Sequence, residues 1–423
     1  MILTVKFIIA MLCTLLVCLW RPLRLDAWVG AAVFRPRCLL VFIASRLGIF
    51  GLLFFVLKTT PQSDINWYYG EGRAVLDGLL PLRDFMPVYG PWFSNICAWL
   101  LRVADTPVTL MFFALVLEIV SVPLWLRVGD RLFTRGQSDA ALLLYTCCPL
   151  SLINVPITGQ NHIWYAPLLA GAMLLLMRHR SLLCGMMLAF TILAVKMLSM
   201  LFVPPFCWAS KRRWVFGLGF FGLLIPAYGW YWWQGADMTK LMSFHAQHGS
   251  SGNLPFLLGI TGLDFSEPGL RSLANLAGLL LLSGLFLTAM WQRRVRTPRQ
   301  VLIFLPLLTL VTLLISKKSY ASYLEMALFP LCLLAAAAPK NAVRTLFTAG
   351  CALAACEPSV WFRLLANQEL SNLWHGIQHG SPVWAFLLLA LLDFALLTFY
   401  CLGIAWLWRQ SAAELSSPEG ARS

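Results

Sequence analysis

Three kinds of side chain that together could move a group from a phosphate to a hydroxyl recur in the polar stretches of this otherwise apolar chain. Such a transfer needs a base for the incoming hydroxyl, positive charge for the departing phosphate, and aromatic or polar groups to hold what is transferred. Asp64 opens the stretch SDINWYYGEGRAVLDGLLPLRDFMPVYGPWF at the end of an apolar run. A carboxylate at a membrane edge can meet an acceptor in water and a donor whose tail stays in lipid, so Asp64 is the first candidate base. Asp84 is a second carboxylate, and His245 and His248 are alternative bases in a loop with Gly249, Gly252 and Asn253. Candidate phosphate contacts are Arg83, Lys196, Lys317 and Lys318, and the holding groups are Trp67, Tyr68, Tyr69, Tyr89, Gln160, Asn161, His162 and Tyr320. Plainer roles compete for each of these. Asp64 could cap a helix, Arg83 and Asp84 could form a structural ion pair, Lys196 could snorkel to an interface, and residues 160–162 could solvate a tight turn.

A metal is not expected at this chemistry. Asp64 is followed by Asn66, with no acidic pair at close spacing, and His375 and His379 stand four apart without the carboxylate of an HExxH motif. No cofactor is called for.

The elements that must position these groups are membrane helices. The chain is 60% hydrophobic and 12% charged over 423 residues, whereas soluble domains are about 25% charged. Apolar runs recur from end to end, and in lipid each must satisfy its own backbone, which leaves helices. The predicted fold is all-α and polytopic, one membrane domain over residues 1–423. Candidate spans are Leu3 to Trp20, Cys38 to Leu57, Val108 to Leu126, Ala140 to Ile153, Ile163 to Met177, Leu182 to Ala194, Leu198 to Trp208, Trp214 to Trp232, Leu270 to Trp291, Val301 to Ile315, Leu324 to Ala338, Val343 to Cys356 and Val383 to Trp408, about thirteen in all. The short pair around Lys196 reads as two tilted helices or a re-entrant hairpin. Arg46 and Glu118 lie inside spans and call for partners.

Basic clusters at Arg21, Arg24, Arg35 and Arg37, at Arg127, Arg131 and Arg135, at Arg178 and Arg180, at Lys211 to Arg213, and at Arg293 to Arg299 fall on one face of this arrangement. That face is expected to be cytoplasmic, with the C-terminus, and it accounts for the net charge of +14 without nucleic acid. The opposite face receives the first long loop, residues 58–93, with an amphipathic turn of Val75, Leu76, Leu79 and Leu80 among Glu71, Arg73 and Asp77 that is expected to lie flat on the bilayer. The first span has no small-residue cleavage site after it and reads as a retained helix. The 12 cysteines have no CxxC pair and read as packing residues.

Against this background the first loop resembles the GT-C superfamily of integral membrane glycosyltransferases, which carry an acidic residue at its start, an aromatic pair, a Gly-rich amphipathic helix and a PYRDF…YPP-like segment. The last reads here as Pro81-Leu82-Arg83-Asp84-Phe85 and Tyr89-Gly90-Pro91, with Leu82 in place of the usual aromatic. Thr158-Gly159-Gln160-Asn161 is similar to the GQ-N turn of bacterial polyprenyl-phosphate-mannose-dependent mannosyltransferases. Lys196 with Pro204, Pro205 and Lys211-Arg212-Arg213, and Ser316-Lys317-Lys318-Ser319-Tyr320 with Tyr323, resemble later segments in the same order. The resemblance implies an inverting, metal-independent hexosyltransferase of a bacterial plasma membrane. Its donor would be a polyprenyl-phosphate sugar, guessed as mannose, and its acceptor a glycan or glycolipid on the extracytoplasmic face. The competing expectation is a transporter or flippase of lipid-linked sugars, although no internal repeat is seen and the polar residues gather in outer loops rather than at midplane.

Overall fold

The computed structural model describes residues 2–20, 29, 31–61, 63–237, 239, 249–259, 263, 265, 267–364 and 383–414. Among these it is helical, with a single isolated bridge between Pro81 and Phe85 and no strand. Arg21, Arg24, His245, His248, His375 and His379 lie outside the described residues. In chain order the helices are α1 (Ile2–Cys18), α2 (Phe34–Gly51, continued by a wider turn through Leu52–Val56), α3 (Ile65–Leu76), α4 (Pro91–Leu101), α5 (Pro107–Leu132), α6 (Arg135–Thr146), α7 (Pro149–Asn154), α8 (Tyr165–Met177), α9 (Ser181–Ala194), α10 (Val203–Ala209), α11 (Arg213–Trp233), α12 (Leu254–Leu258), α13 (Pro268–Trp291), α14 (Pro298–Ile315), α15 (Leu328–Ala337), α16 (Asn341–Leu364) and α17 (Val383–Ala413). Short 3₁₀ turns at Asn161–Trp164, Met197–Phe202 and Ala321–Ala327 lead into α8, α10 and α15.

Local signals set many of the starts. Thr134 with Gln137 and Thr297 with Gln300 form capping boxes at α6 and α14, and Thr106 caps α5. Prolines 91, 107, 149, 268 and 298 occupy the first turn of their helices, where a missing N–H costs nothing.

Six of the described helices are long and apolar enough to cross a membrane: Phe34–Val56, Pro107–Leu132, Arg213–Trp233, Pro268–Trp291, Pro298–Ile315 and Leu387–Ala413. Shorter apolar helices fill most of the remaining runs, including Ser181–Ala194 and Met197–Ala209 on either side of Lys196. The run Ala140 to Ile153 is broken at Pro149, whose ring and missing N–H end one helix and start another. Helix α13 leaves Leu273, Leu276, Leu279, Leu280 and Leu281 more than half exposed, a surface that water would not tolerate and lipid covers. The protein is a helical, membrane-embedded one.

At one end of the bundle the basic segments meet. Arg35 bonds Asp130 at 2.7 Å and Asp139 at 2.6 Å, Arg299 reaches Glu414 at 2.8 Å, and Arg294 donates to the Trp408 carbonyl at 2.8 Å. Helix α1 packs on α16, with Trp20 buried and Lys6 Nζ 2.7 Å from Ser359 Oγ. Arg46 and Glu118, 72 residues apart, do face each other. The wholly buried guanidinium lies 3.4 Å from Glu118 Oε1 and donates to the Thr146 carbonyl at 2.8 Å and Ser151 Oγ at 2.7 Å, tying α2, α5, α6 and α7 together.

Candidate functional site

Helix α3 begins at Ile65, earlier than the amphipathic turn read from the sequence. It buries the face Ile65, Tyr68, Glu71 and Gly72 against α4. These positions recur every three to four residues, as one face of a helix must. The two helices approach closely at Gly72, where an added Cβ would stand 3.1 Å from Cys97 Cβ and 3.2 Å from Ala98 N. The same geometry splits the aromatic triplet. Tyr68 points inward and packs edge-on to Tyr89 at 5.0 Å and Phe93 at 5.2 Å, while Trp67 is 66% exposed and Tyr69 turns toward Asp105, which also pairs with Arg73 at 2.6 Å. Trp67 and Tyr69 therefore do not share the buried face on which Tyr68 meets Tyr89.

Asp64 occupies the N-cap position of α3, yet its side chain makes no capping bond. The charges of Lys196 and Lys318 act on its carboxyl, which lies within hydrogen-bonding reach of Gln160 and Tyr89. As a residue Asp64 keeps some surface, but its carboxyl lies deep enough that burial raises its pKa, against the lowering pull of Lys196, Gln160, Tyr89 and Lys318. Lys196 lies in the break between α9 and the 3₁₀ turn before α10. Its Nζ donates to the Tyr323 hydroxyl at 2.6 Å and stands 4.5 Å from the Tyr323 ring centre and 5.5 Å from that of Tyr89. Burial pushes the Lys196 ammonium down to about 8, and the charge of Asp64 works against that shift.

The break is held by the 89–91 segment. Gly90 N donates to the Val195 carbonyl at 3.0 Å, and a Cβ on Gly90 would sit 2.3 Å from the Leu193 carbonyl oxygen and 2.4 Å from that of Ile192. Backbone cannot yield as a flexible side chain can, so Gly90→Ala is expected to cost about 1–3 kcal/mol and to displace Lys196 from Tyr323. Thermal melting checks this.

Three groups from the next polar segment complete the arrangement. Gln160 donates to Ser63 Oγ at 2.6 Å, and the His162 ring centre lies 4.6 Å from that of Tyr323. Gln160, Asn161 and His162 are all buried, yet Gln160 Oε1, both amide atoms of Asn161 and both ring nitrogens of His162 lack a hydrogen-bond partner. Buried polar atoms are rarely left so, and five of them beside a carboxylate and an ammonium mark a place that receives a polar molecule or ordered water. Tyr320 stands at the margin, 5.8 Å ring to ring from Tyr323.

Other expected residues do different work. Arg83 and Asp84 form the structural pair, at 2.8 Å, and Asp84 also accepts from Leu80 N at 2.8 Å. Those bonds hold the Asp84 carboxyl down to about 2, in a poor state for a base at neutral pH. Leu82, with φ +69°, buries its side chain against Tyr231 and Ala236. Asp84→Asn is expected to lower Tm little, since removal of an exposed pair costs little; thermal melting checks this, and a large fall would show that the pair holds the loop. Lys317 and Lys318, adjacent in sequence, diverge. Lys317 is buried, with Arg271 near, and burial pushes its ammonium down to about 8, whereas Lys318 acts on Asp64.

Sequence reasoning missed Glu71, reading it as a surface charge of an amphipathic turn. Its carboxylate is buried and accepts from Val88 N at 2.8 Å and Ser94 Oγ at 2.7 Å, clamping the segment that carries Tyr89 and Gly90. Burial raises its pKa to about 7 despite those two bonds. Its spacing of three from Tyr68 and six from Ile65 was the available signal. Helix α4 was also missed, because 11 residues interrupted by Ser94 and Asn95 do not register as a span.

No group of three or more His, Cys, Asp or Glu side chains is placed to hold a metal ion among the described residues. Compared with family models, curated proteins and solved structures, the chain matches none of them.

Proposed function

We propose that the protein is an inverting glycosyltransferase of the GT-C type, using a polyprenyl-phosphate sugar as donor, with Asp64 as base. The observation that carries this reading is the Asp64 carboxyl, uncommitted to capping its own helix and under the positive charges of Lys196 and Lys318, near the unpartnered Gln160, Asn161 and His162 atoms. In the reaction the acceptor hydroxyl oxygen attacks the anomeric carbon from the face opposite the phosphate. Its proton passes to Asp64 as the carbon–oxygen bond to phosphate breaks, and polyprenyl phosphate leaves with the electron pair. Lys196 and Lys318 meet the charge that grows on the phosphate. Gln160, Asn161 and His162 would bond sugar hydroxyls, and Tyr89 and Tyr320 would flank the ring. Residues 58–93 form the extracytoplasmic catalytic loop in this reading. The chain crosses a bacterial plasma membrane about thirteen times with its C-terminus inside, and mannose is the first sugar to try.

The test incubates purified protein with radiolabelled polyprenyl-phosphate sugars and lipid or glycan acceptors, in parallel with proteoliposomes that report movement of lipid-linked sugar. Transfer with inversion at the anomeric carbon supports the reading. Movement across the bilayer with no transfer from any donor would replace it by the transporter reading.

A further inference from the structure

Two carboxylates lie apart from the residues around Asp64. Glu357 on α16 and Asp393 on α17 are 1% and 0% exposed, on helices that pack against one another. The segment leading into α12 comes up against both. Gly252 adopts φ +75°, a conformation open to glycine, and a Cβ there would stand at ordinary contact distance, 3.4 Å, from Glu357 Oε2. Ser251 adjoins Glu357, the Gly252 backbone adjoins Asp393, and the buried Tyr400, two turns beyond Asp393 on α17, lies within electrostatic reach of both carboxyls.

Among the described residues little compensates these groups beyond Ser251 beside Glu357 and the Gly252 backbone beside Asp393. Among the described residues neither carboxylate is in an ion pair, and Glu357 Oε1, both oxygens of Asp393, Ser251 Oγ and the Tyr400 hydroxyl lack a hydrogen bond of good geometry. Two buried carboxylates cannot both be charged side by side without a counter-charge. Every unpartnered atom here is a hard oxygen, and they come from α16, α17 and an irregular segment rich in backbone carbonyls. A divalent hard cation that accepts flexible, all-oxygen coordination suits such a set better than zinc, which seeks nitrogen and sulfur, or magnesium, which demands strict octahedral geometry.

We infer that Glu357, Asp393, Tyr400 and the Ser251–Gly252 segment bind one calcium-type divalent cation, which pins this segment to α16 and α17. The segment is in turn fastened to the stretch that carries Lys318: Ser250 N donates to the Lys317 carbonyl at 2.9 Å, and Ser319 N donates to Ser250 Oγ at 2.8 Å. The cation would order one wall of the candidate site without touching Asp64, and its presence does not depend on the reaction proposed above.

The experiment uses the full chain in lipid nanodiscs, stripped with a chelator and followed by equilibrium dialysis with radioactive calcium and by thermal melting at constant ionic strength. Saturable binding of about one calcium per chain and a Tm raised by several degrees are expected, with both lost in Glu357→Gln/Asp393→Asn. That double variant should melt no lower than the stripped parent, since it no longer buries two charges together. Should it fail to fold, Asp393→Asn alone is expected to lose the calcium binding. No saturable calcium binding by the parent would overturn the inference. So would a Tm that rises on acidification identically with and without calcium, the behaviour of a carboxyl pair sharing a proton. A shift given by magnesium or sodium but not by calcium would overturn the assignment of the ion.

Discussion

Asp64→Asn is expected to slow sugar transfer by about 10²–10⁴-fold, the usual range for loss of a general base, while the protein still folds and binds donor. Asparagine keeps the shape and the hydrogen-bonding reach toward Gln160 and Tyr89 but cannot take a proton. Because the Asp64 side chain does not cap α3, the helix start should survive the change, and far-ultraviolet circular dichroism should match the parent, as should melting in acid, where Asp64 is protonated. Burial holds the Asp64 pKa above the ordinary carboxylate value, so the rate in the parent should rise with pH along a limb displaced upward from that of a free carboxylate. Stability linkage runs the other way. A raised pKa means that the folded state holds this proton more tightly than the unfolded chain, so the contribution is present in acid and lost as pH rises through the raised value. The variant should lose the limb in the rate and this linkage in the melting. Unchanged turnover by a folded, donor-binding Asp64→Asn protein would remove Asp64 as base and bring His245 and His248 forward.

The helices were legible because lipid gives an apolar run one way to satisfy its backbone, so composition alone reports their existence. What the runs could not report was where each helix breaks. Pro149 divides a run that hydropathy reads as continuous, and Lys196 sits in a break whose partner, Tyr323, is 127 residues away. Spacing along the chain carries no information about such a pairing, just as nothing in the sequence brought Arg46 to Glu118. Within the first loop, position on a helix decided more than residue type. Trp67, Tyr68 and Tyr69 are chemically alike, but successive residues on a helix point about 100° apart, and only Tyr68 faces Tyr89. Glu71 looked like a solvated charge until its register with Ile65 and Tyr68 was applied. Lys317 and Lys318 were equivalent by type, and the turn between α14 and the 3₁₀ segment sends them to different neighbours.

Lys196→Met should lower kcat by about 10²–10³-fold, the range for removal of one preorganised group that meets developing charge. The reason lies in when the charge appears. In the bound donor the phosphate is a diester with one negative charge, and as the anomeric bond breaks a second charge grows on the leaving oxygen, so an ammonium fixed beside it acts more strongly on the transition state than on the complex. The fixing is visible: one bond to the Tyr323 hydroxyl at 2.6 Å and two aromatic rings within 5.5 Å. Donor affinity should therefore change less than kcat, and single-turnover rates measured beside donor dissociation constants separate the two. Methionine fills similar space without a buried charge, so melting should not fall. A second signature follows from the carboxyl across the site. Lys196 holds the Asp64 pKa down against burial, so its removal lets that pKa climb further, and the limb of the pH–rate profile should move to higher pH in Lys196→Met than in the parent. Lys196→Arg keeps the charge but brings a planar fork into a space shaped for an ammonium, and should restore the position of the limb more fully than the rate. A Lys196→Met protein that loses donor affinity alone, with kcat and the limb unmoved, would make Lys196 a binding residue with no part in the departure of the phosphate.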